Sequence, residues 1–225
     1  MTRPRISAVA WCPHPPLLLP SVGAGAAGEF SVLRAACIEA VHGLQTAEID
    51  RVMVIGAAGR EHGLRGFAPG VGGLPRGELP LSLTIGDWLL DQAGVDAARS
   101  FVAARPDGTP ASNADQAAGV RSNTEATALL VMGDGTARRS IKGPGYLDPR
   151  AEAFDADVVT ALGAGDVATL AALDEELAAD LMVAGIGAWK AAAAILAAEG
   201  PWQSRVLFAD APLGVMYVVA SWRAA

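Results

Sequence analysis

Three short apolar runs do most to limit what this chain can become. Ile6–Cys12, Arg51–Ile55 and Ala128–Met132 are each of strand length, and each is closed by a chain breaker: Pro13, Gly56 and Gly133. Helical patterns lie between and after them. Phe30–Leu44 places Phe30, Leu33, Ala36, Cys37 and Val41 on one face. Ala153–Gly163, Asp166–Ala178 and Leu181–Glu199 are also helical, with Asp166 as an N-cap after Gly165 and Gly200-Pro201 as a stop. Leu81–Ile85 reads as a further strand and Gly86–Gly94 as a short helix. Arg205–Asp210 and Val215–Ser221 read as two closing strands joined by a tight connection, hence antiparallel at a sheet edge. Strands separated by helices give an α/β fold: one domain over residues 1–225, with a central mixed, mostly parallel sheet flanked by helices.

Composition agrees with a packed core. Of 225 residues, 52% are hydrophobic and 18% charged, which excludes a disordered chain. Two cysteines, Cys12 and Cys37, exclude a disulfide scaffold. No uninterrupted apolar stretch is long enough to span a bilayer, so no membrane partner is expected. The net charge of −7 disfavours a nucleic-acid partner, because phosphates would be repelled. The N-terminus lacks the apolar segment that a secretory signal places before a site such as Ala8-Val-Ala10. The expected compartment is therefore the cytoplasm, with both thiols reduced.

In an open α/β sheet, ligands sit beyond the carboxyl ends of the strands, so the loops that follow strands carry the chemistry. The first is Cys12-Pro-His14-Pro-Pro-Leu-Leu-Leu-Pro20. Prolines on both sides fix the backbone around His14, which suits a metal ligand, a general base or a structural turn. The second loop holds His62 in a glycine-rich segment, either as an exposed side chain or as a partner for His14. His42 lies within a helix and reads as packing or surface. The third loop, Gly133–Arg150, concentrates Arg138, Arg139, Lys142 and Arg150 in an otherwise acidic chain. These cations can hold a carboxylate or phosphate, or be neutralised by Asp134 and Asp148. No Walker loop, dinucleotide fingerprint or nucleophile elbow is present. The run Asp174, Glu175, Glu176 and Asp180 reads as a solvated helix face.

The opening strand with Pro-His14-Pro-Pro-Leu-Leu-Leu-Pro resembles the start of class III extradiol ring-cleavage dioxygenases of the LigB-like type and of the related Memo-like proteins. The segment Leu129–Arg150, continuing to Phe154-Asp155, and the closing stretch Asp210–Trp222 resemble an uncharacterised bacterial branch of that superfamily. The resemblance implies non-haem Fe(II) held by two His and one Glu, another His as acid/base, and open positions for a catecholic substrate and O2.

Carried over position by position, the resemblance puts His14 on the first ligand. The place of the second ligand holds Gly56-Ala57-Ala58-Gly59, so His62 would serve only if its loop folds back. The place of the acid/base His holds Gly135-Thr136-Ala137-Arg138, and that of the Glu holds Val183–Gly187. The expectation is a LigB-like protein with a degenerate Fe(II) site. It would bind a small anionic or aromatic ligand among His14, Asp134, Arg138, Arg139, Lys142, Tyr146 and Asp148. Two alternatives stand beside it. One is an active Fe(II)-dependent extradiol dioxygenase using His14, His62 and an acidic third ligand. The other is a metal-free enzyme with His14 as general base, aided by Tyr146 or Asp148. A structural or interaction protein is a further class, and a homodimer suits any of them.

Overall fold

The computed structural model describes residues 5–20, 22, 27–46, 49–58, 79–112 and 126–225. The strands are β1 (Arg5–Cys12), β2 (Arg51–Ala57), β3 (Ala98–Ala104), β4 (Ala126–Met132), β5 (Trp202–Asp210) and β6 (Tyr217–Ala224). They form one sheet in the order β3-β2-β4-β1-β6-β5. The first four run parallel, with Cys12 opposite Met132 and Ile55 opposite Val131. The last two run antiparallel, Trp11 facing Ala220 and Asp210 facing Tyr217. The fold is thus α/β with a mixed, mostly parallel sheet, and the closing pair is antiparallel at one edge.

The helices are α1 (Ala27–His42), α2 (Leu81–Gln92), α3 (Arg150–Ala164), α4 (Val167–Ala171), α5 (Glu175–Asp180) and α6 (Ile186–Leu196). Strand side chains alternate between the two faces. Ala10, Cys12, Val52, Val54, Leu130 and Met132 meet α1 and α2 on one side. Val9, Trp11, Met53, Ile55, Leu129 and Val131 meet α3 to α6 on the other. The chain after β1 therefore leaves toward one face, and the chain after its neighbour β4 leaves toward the opposite face. At such a divergence between adjacent parallel strands, α/β folds place their ligand crevice, so the carboxyl ends of β1 and β4 mark the candidate one.

Several elements differ from the sequence reading. Leu81–Ile85 is not a strand but the first part of α2, which runs unbroken through Gly86. A Cβ on Gly86 would stand 2.7 Å from Val54 Cγ1, so the glycine is there to let helix and sheet approach. The strand in this part of the chain is β3, Ala98–Ala104, which the sequence pattern did not single out. The stretch Asp166–Ala178 is two short helices, because each has its own cap. Asp166 accepts from the Thr169 N–H at 3.0 Å, and Asp174 from those of Glu176 and Leu177 at 2.9 and 3.1 Å. The final helix starts only at Ile186, since Met182 takes a left-handed backbone (φ 58).

Candidate functional site

The crevice is closed by His14 and Asp134, which follow β1 and β4. Pro13 and Pro15 flank His14, and the chain continues as a single 3-10 turn, Pro16–Leu18. Arg34 of α1 clamps that turn, donating from Nε to the Leu18 carbonyl at 2.6 Å. The two strand ends are tied together by the Gly133 N–H, which donates to the Cys12 carbonyl at 2.9 Å. The His14 N–H donates to Asp134 Oδ1 at 2.7 Å. Only 3% of His14 is exposed. Its Nδ1 lies 3.5 Å from the same carboxylate oxygen and makes no hydrogen bond among the described residues, although it is sealed from solvent. A ring nitrogen in this state is desolvated without a hydrogen bond, an arrangement that ordinary packing avoids.

The floor of the crevice is built by close backbone approach. A Cβ on Gly133 would stand 2.6 Å from Gly185 Cα, and one on Gly185 would stand 2.5 Å from Trp189 Cζ2. The Gly185 N–H donates to the Asp134 carbonyl at 2.8 Å, which docks the start of α6 against the loop. Tyr217, the first residue of β6, is buried, with its ring 5.9 Å from Phe30. Burial pushes its phenol up, and the nearby Asp134 carboxylate adds to the shift. Sequence reasoning missed Tyr217. The antiparallel pairing of β6 with β1 brings its N-terminal end beside the carboxyl end of β1, a placement set by strand order rather than by local pattern. Beneath His14, Cys12 and Cys37 are free buried thiols. Burial raises Cys37 well above its usual range, and the contact with Cys12 raises it further.

The rest of the basic loop is largely committed to itself. Arg139 donates to buried Asp155 at 3.1 Å and lies 3.7 Å from Glu152. Arg150 pairs with Asp148 at 2.8 Å and Asp180 at 3.2 Å. The hydrogen bonds from Arg150 hold the Asp148 carboxyl down, to about 2. Arg138 is half-buried, and its Nε is sealed without a hydrogen-bond partner among the described residues. Lys142 is exposed. Tyr146 is 73% exposed with φ 59 and projects outward rather than into the crevice. Of the residues singled out from the sequence, His14 and Asp134 are in direct contact and Arg138 lies in the same loop. Arg139 and Asp148 serve internal ion pairs instead. His62 lies outside the described residues.

The donor set bears on the iron that the resemblance implies. The end of β2 and the residue after it are Gly56, Ala57 and Ala58, which offer no metal-binding side chain, and Val183–Gly187 offers none either. Among the described residues no three His, Cys, Asp or Glu side chains converge. These residues do not fit a site of two His and one carboxylate. Among the described residues no helix is long and apolar enough to cross a membrane. No family model matches the chain, and no curated protein matches it.

Proposed function

We propose that this chain is a LigB-like protein that binds a small anionic or aromatic molecule in the crevice between β1 and β4, without the iron chemistry of the dioxygenases. The observation that carries this reading is the His14–Asp134 pair at that point of the sheet. A buried imidazole with an unsatisfied nitrogen is destabilising on its own. It is held there by prolines, by the Arg34 clamp and by Asp134, which amounts to preorganisation for a ligand. His14 supplies a donor or acceptor to the ligand, Arg138 of the same loop as Asp134 supplies positive charge, and Tyr217 adds aromatic character beside the pair.

Calorimetric titration with benzoate, 3,4-dihydroxybenzoate and inorganic phosphate tests this. Saturable binding of at least one, lost in His14→Leu and Asp134→Asn, supports it. Trp189 sits under the crevice, so tryptophan emission should respond to the same titration. Indifference of all three ligands to both variants overturns the reading. An anaerobic Fe(II) titration is the companion experiment. Tight one-to-one binding that disappears in both His14→Ala and His62→Ala would replace this reading with the dioxygenase one.

The second reading is metal-free catalysis with His14 as general base. The Asp134 carboxylate at 3.5 Å favours it, because bonds between a base and the group that orients it are often long before substrate arrives. Nitrogen NMR of the His14 ring decides: a tautomer that changes in Asp134→Asn supports an orienting role, and an unchanged tautomer excludes it.

A further inference from the structure

Outside the crevice, the loop surface that surrounds it exposes large apolar side chains in one place. Ile141, Tyr146, Leu147, Met182 and Leu213 are all exposed, and they belong to three separate segments. Those segments touch. The Arg139 N–H donates to the Gly214 carbonyl at 3.1 Å, and that of Ala137 to the Leu181 carbonyl at 3.1 Å. A Cβ on Gly145 would meet Met182 Sδ at 2.6 Å, and one on Gly143 would meet Gly214 Cα at 3.3 Å. Elsewhere among the described residues, only Val32 and Ile195 are comparably exposed, and they are isolated on helices.

The backbone marks the same surface. Tyr146 (φ 59), Met182 (φ 58) and Leu213 (φ 57) are the non-glycine residues with left-handed backbone among those described, and all three lie in this patch. Bulky side chains rarely adopt that conformation, and strained residues of this kind concentrate where a surface has a task. Buried Asp155 holds the loop from beneath through Thr136 and Arg139, so the patch is preformed.

We propose that this patch is the interface of a homodimer, with two copies meeting face to face about a two-fold axis. Charge argues for a second copy as the occupant. The chain carries −7 overall. Around the patch, Arg138, Arg139, Lys142 and Arg150 offset Asp148, Glu152, Asp155 and Asp180, with Arg139 and Arg150 in direct ion pairs. Four cations are gathered here, so the face is less negative than the molecule as a whole, and two copies approach through it with less repulsion than other orientations meet. A strongly charged foreign partner finds no opposite field here. A self-complementary patch with an apolar centre and mixed-sign rim is what an isologous contact requires. Edge-to-edge pairing at the β5 edge of the sheet is obstructed by its irregularity between Val206 and Phe208 and by exposed Arg205 and Asp210.

Sedimentation equilibrium on the full chain tests the proposal. The expected mass is twice the 22.9 kDa of one chain at high concentration. Tyr146→Asn and Leu213→Asn should each reduce it toward one chain mass. Asparagine tolerates left-handed backbone, so these variants should melt no lower than the parent monomer, which separates lost association from lost folding. Ala209→Pro on the β5 edge should leave the dimer intact. A chain that is monomeric at every concentration overturns the proposal. So does a dimer that survives both asparagine changes or that is broken by Ala209→Pro.

Discussion

Asp155, on α3, accepts both the backbone N–H and the hydroxyl of Thr136, at 3.0 and 2.7 Å, and both groups are buried. The loop after β4 is therefore anchored on the helix that it leads into. Burial pushes the Asp155 carboxyl up, while Thr136 and Arg139 act against that shift. Asp155→Ala leaves the Thr136 groups and Arg139 without this partner, and should lower unfolding free energy by about 3 kcal/mol. Urea unfolding monitored by tryptophan emission measures it. A loss below the experimental error would mean that the loop is held by its backbone contacts instead.

Asp148 and Arg150 give a pH prediction. The carboxyl is held down from 3.8 to about 2 by hydrogen bonds from Arg150, so on acidification the unfolded chain takes up this proton first. The contribution is complete above about pH 4 and is lost as pH falls through about 2. Asp148→Asn should therefore be less stable than the parent at neutral pH, and the difference should vanish by about pH 2. Melting temperatures across that range check the sign. A gap that widens in acid would contradict the assignment.

His14→Leu should bind no ligand and yet unfold no more easily than the parent. The change removes an imidazole whose Nδ1 is buried without a partner among the described residues, while the backbone N–H to Asp134 is kept. Replacing an unsatisfied polar group by an apolar one of similar size stabilises by up to about 1 kcal/mol. If instead the variant loses stability, His14 is a structural residue of the turn, and the binding proposal loses its main support.

Gly133→Ala should perturb both stability and binding. The added methyl would meet Gly185 Cα at 2.6 Å and the Trp189 indole nitrogen at 2.7 Å, neither of which moves without shifting α6. Overpacking of this kind costs about 1–3 kcal/mol. Because the next residue is Asp134, ligand affinity should fall as well. A variant with parental affinity would place the ligand away from this crevice.

How much of this was legible in the sequence depends on whether local pattern or long-range packing decides. β1, β2 and β4 are buried on both faces, so their apolar runs announce them. β3 is an edge strand with Arg99 and Ser100 within it, and nothing local distinguishes it from a loop. Leu81–Ile85 has the apolar and β-branched content of a strand. Its helical state comes from Pro80 at its start and from the cleft between Val54 and Met132 that Gly86 fits. In the site, His14 was legible because prolines fix it, and Asp134 because glycines surround it. Tyr217 was not, because only the antiparallel insertion of β6 beside β1 brings it there. The ion pairs of Arg139 and Arg150 were visible as an alternative, but which carboxylates would take them depended on the placement of α3 and α5.

β4 lies between β1 and β2 although the chain makes it last of the four parallel strands. His14 and Asp134 are 120 residues apart in sequence. During synthesis, β1 and β2 emerge long before the strand that must sit between them, so the His14–Asp134 pair cannot form until Asp134 has left the ribosome. On the binding proposal, a chain truncated before that point should not recognise a ligand, however well its N-terminal part collapses. If the binding proposal holds, a ligand would stabilise only chains whose sheet has closed around β4.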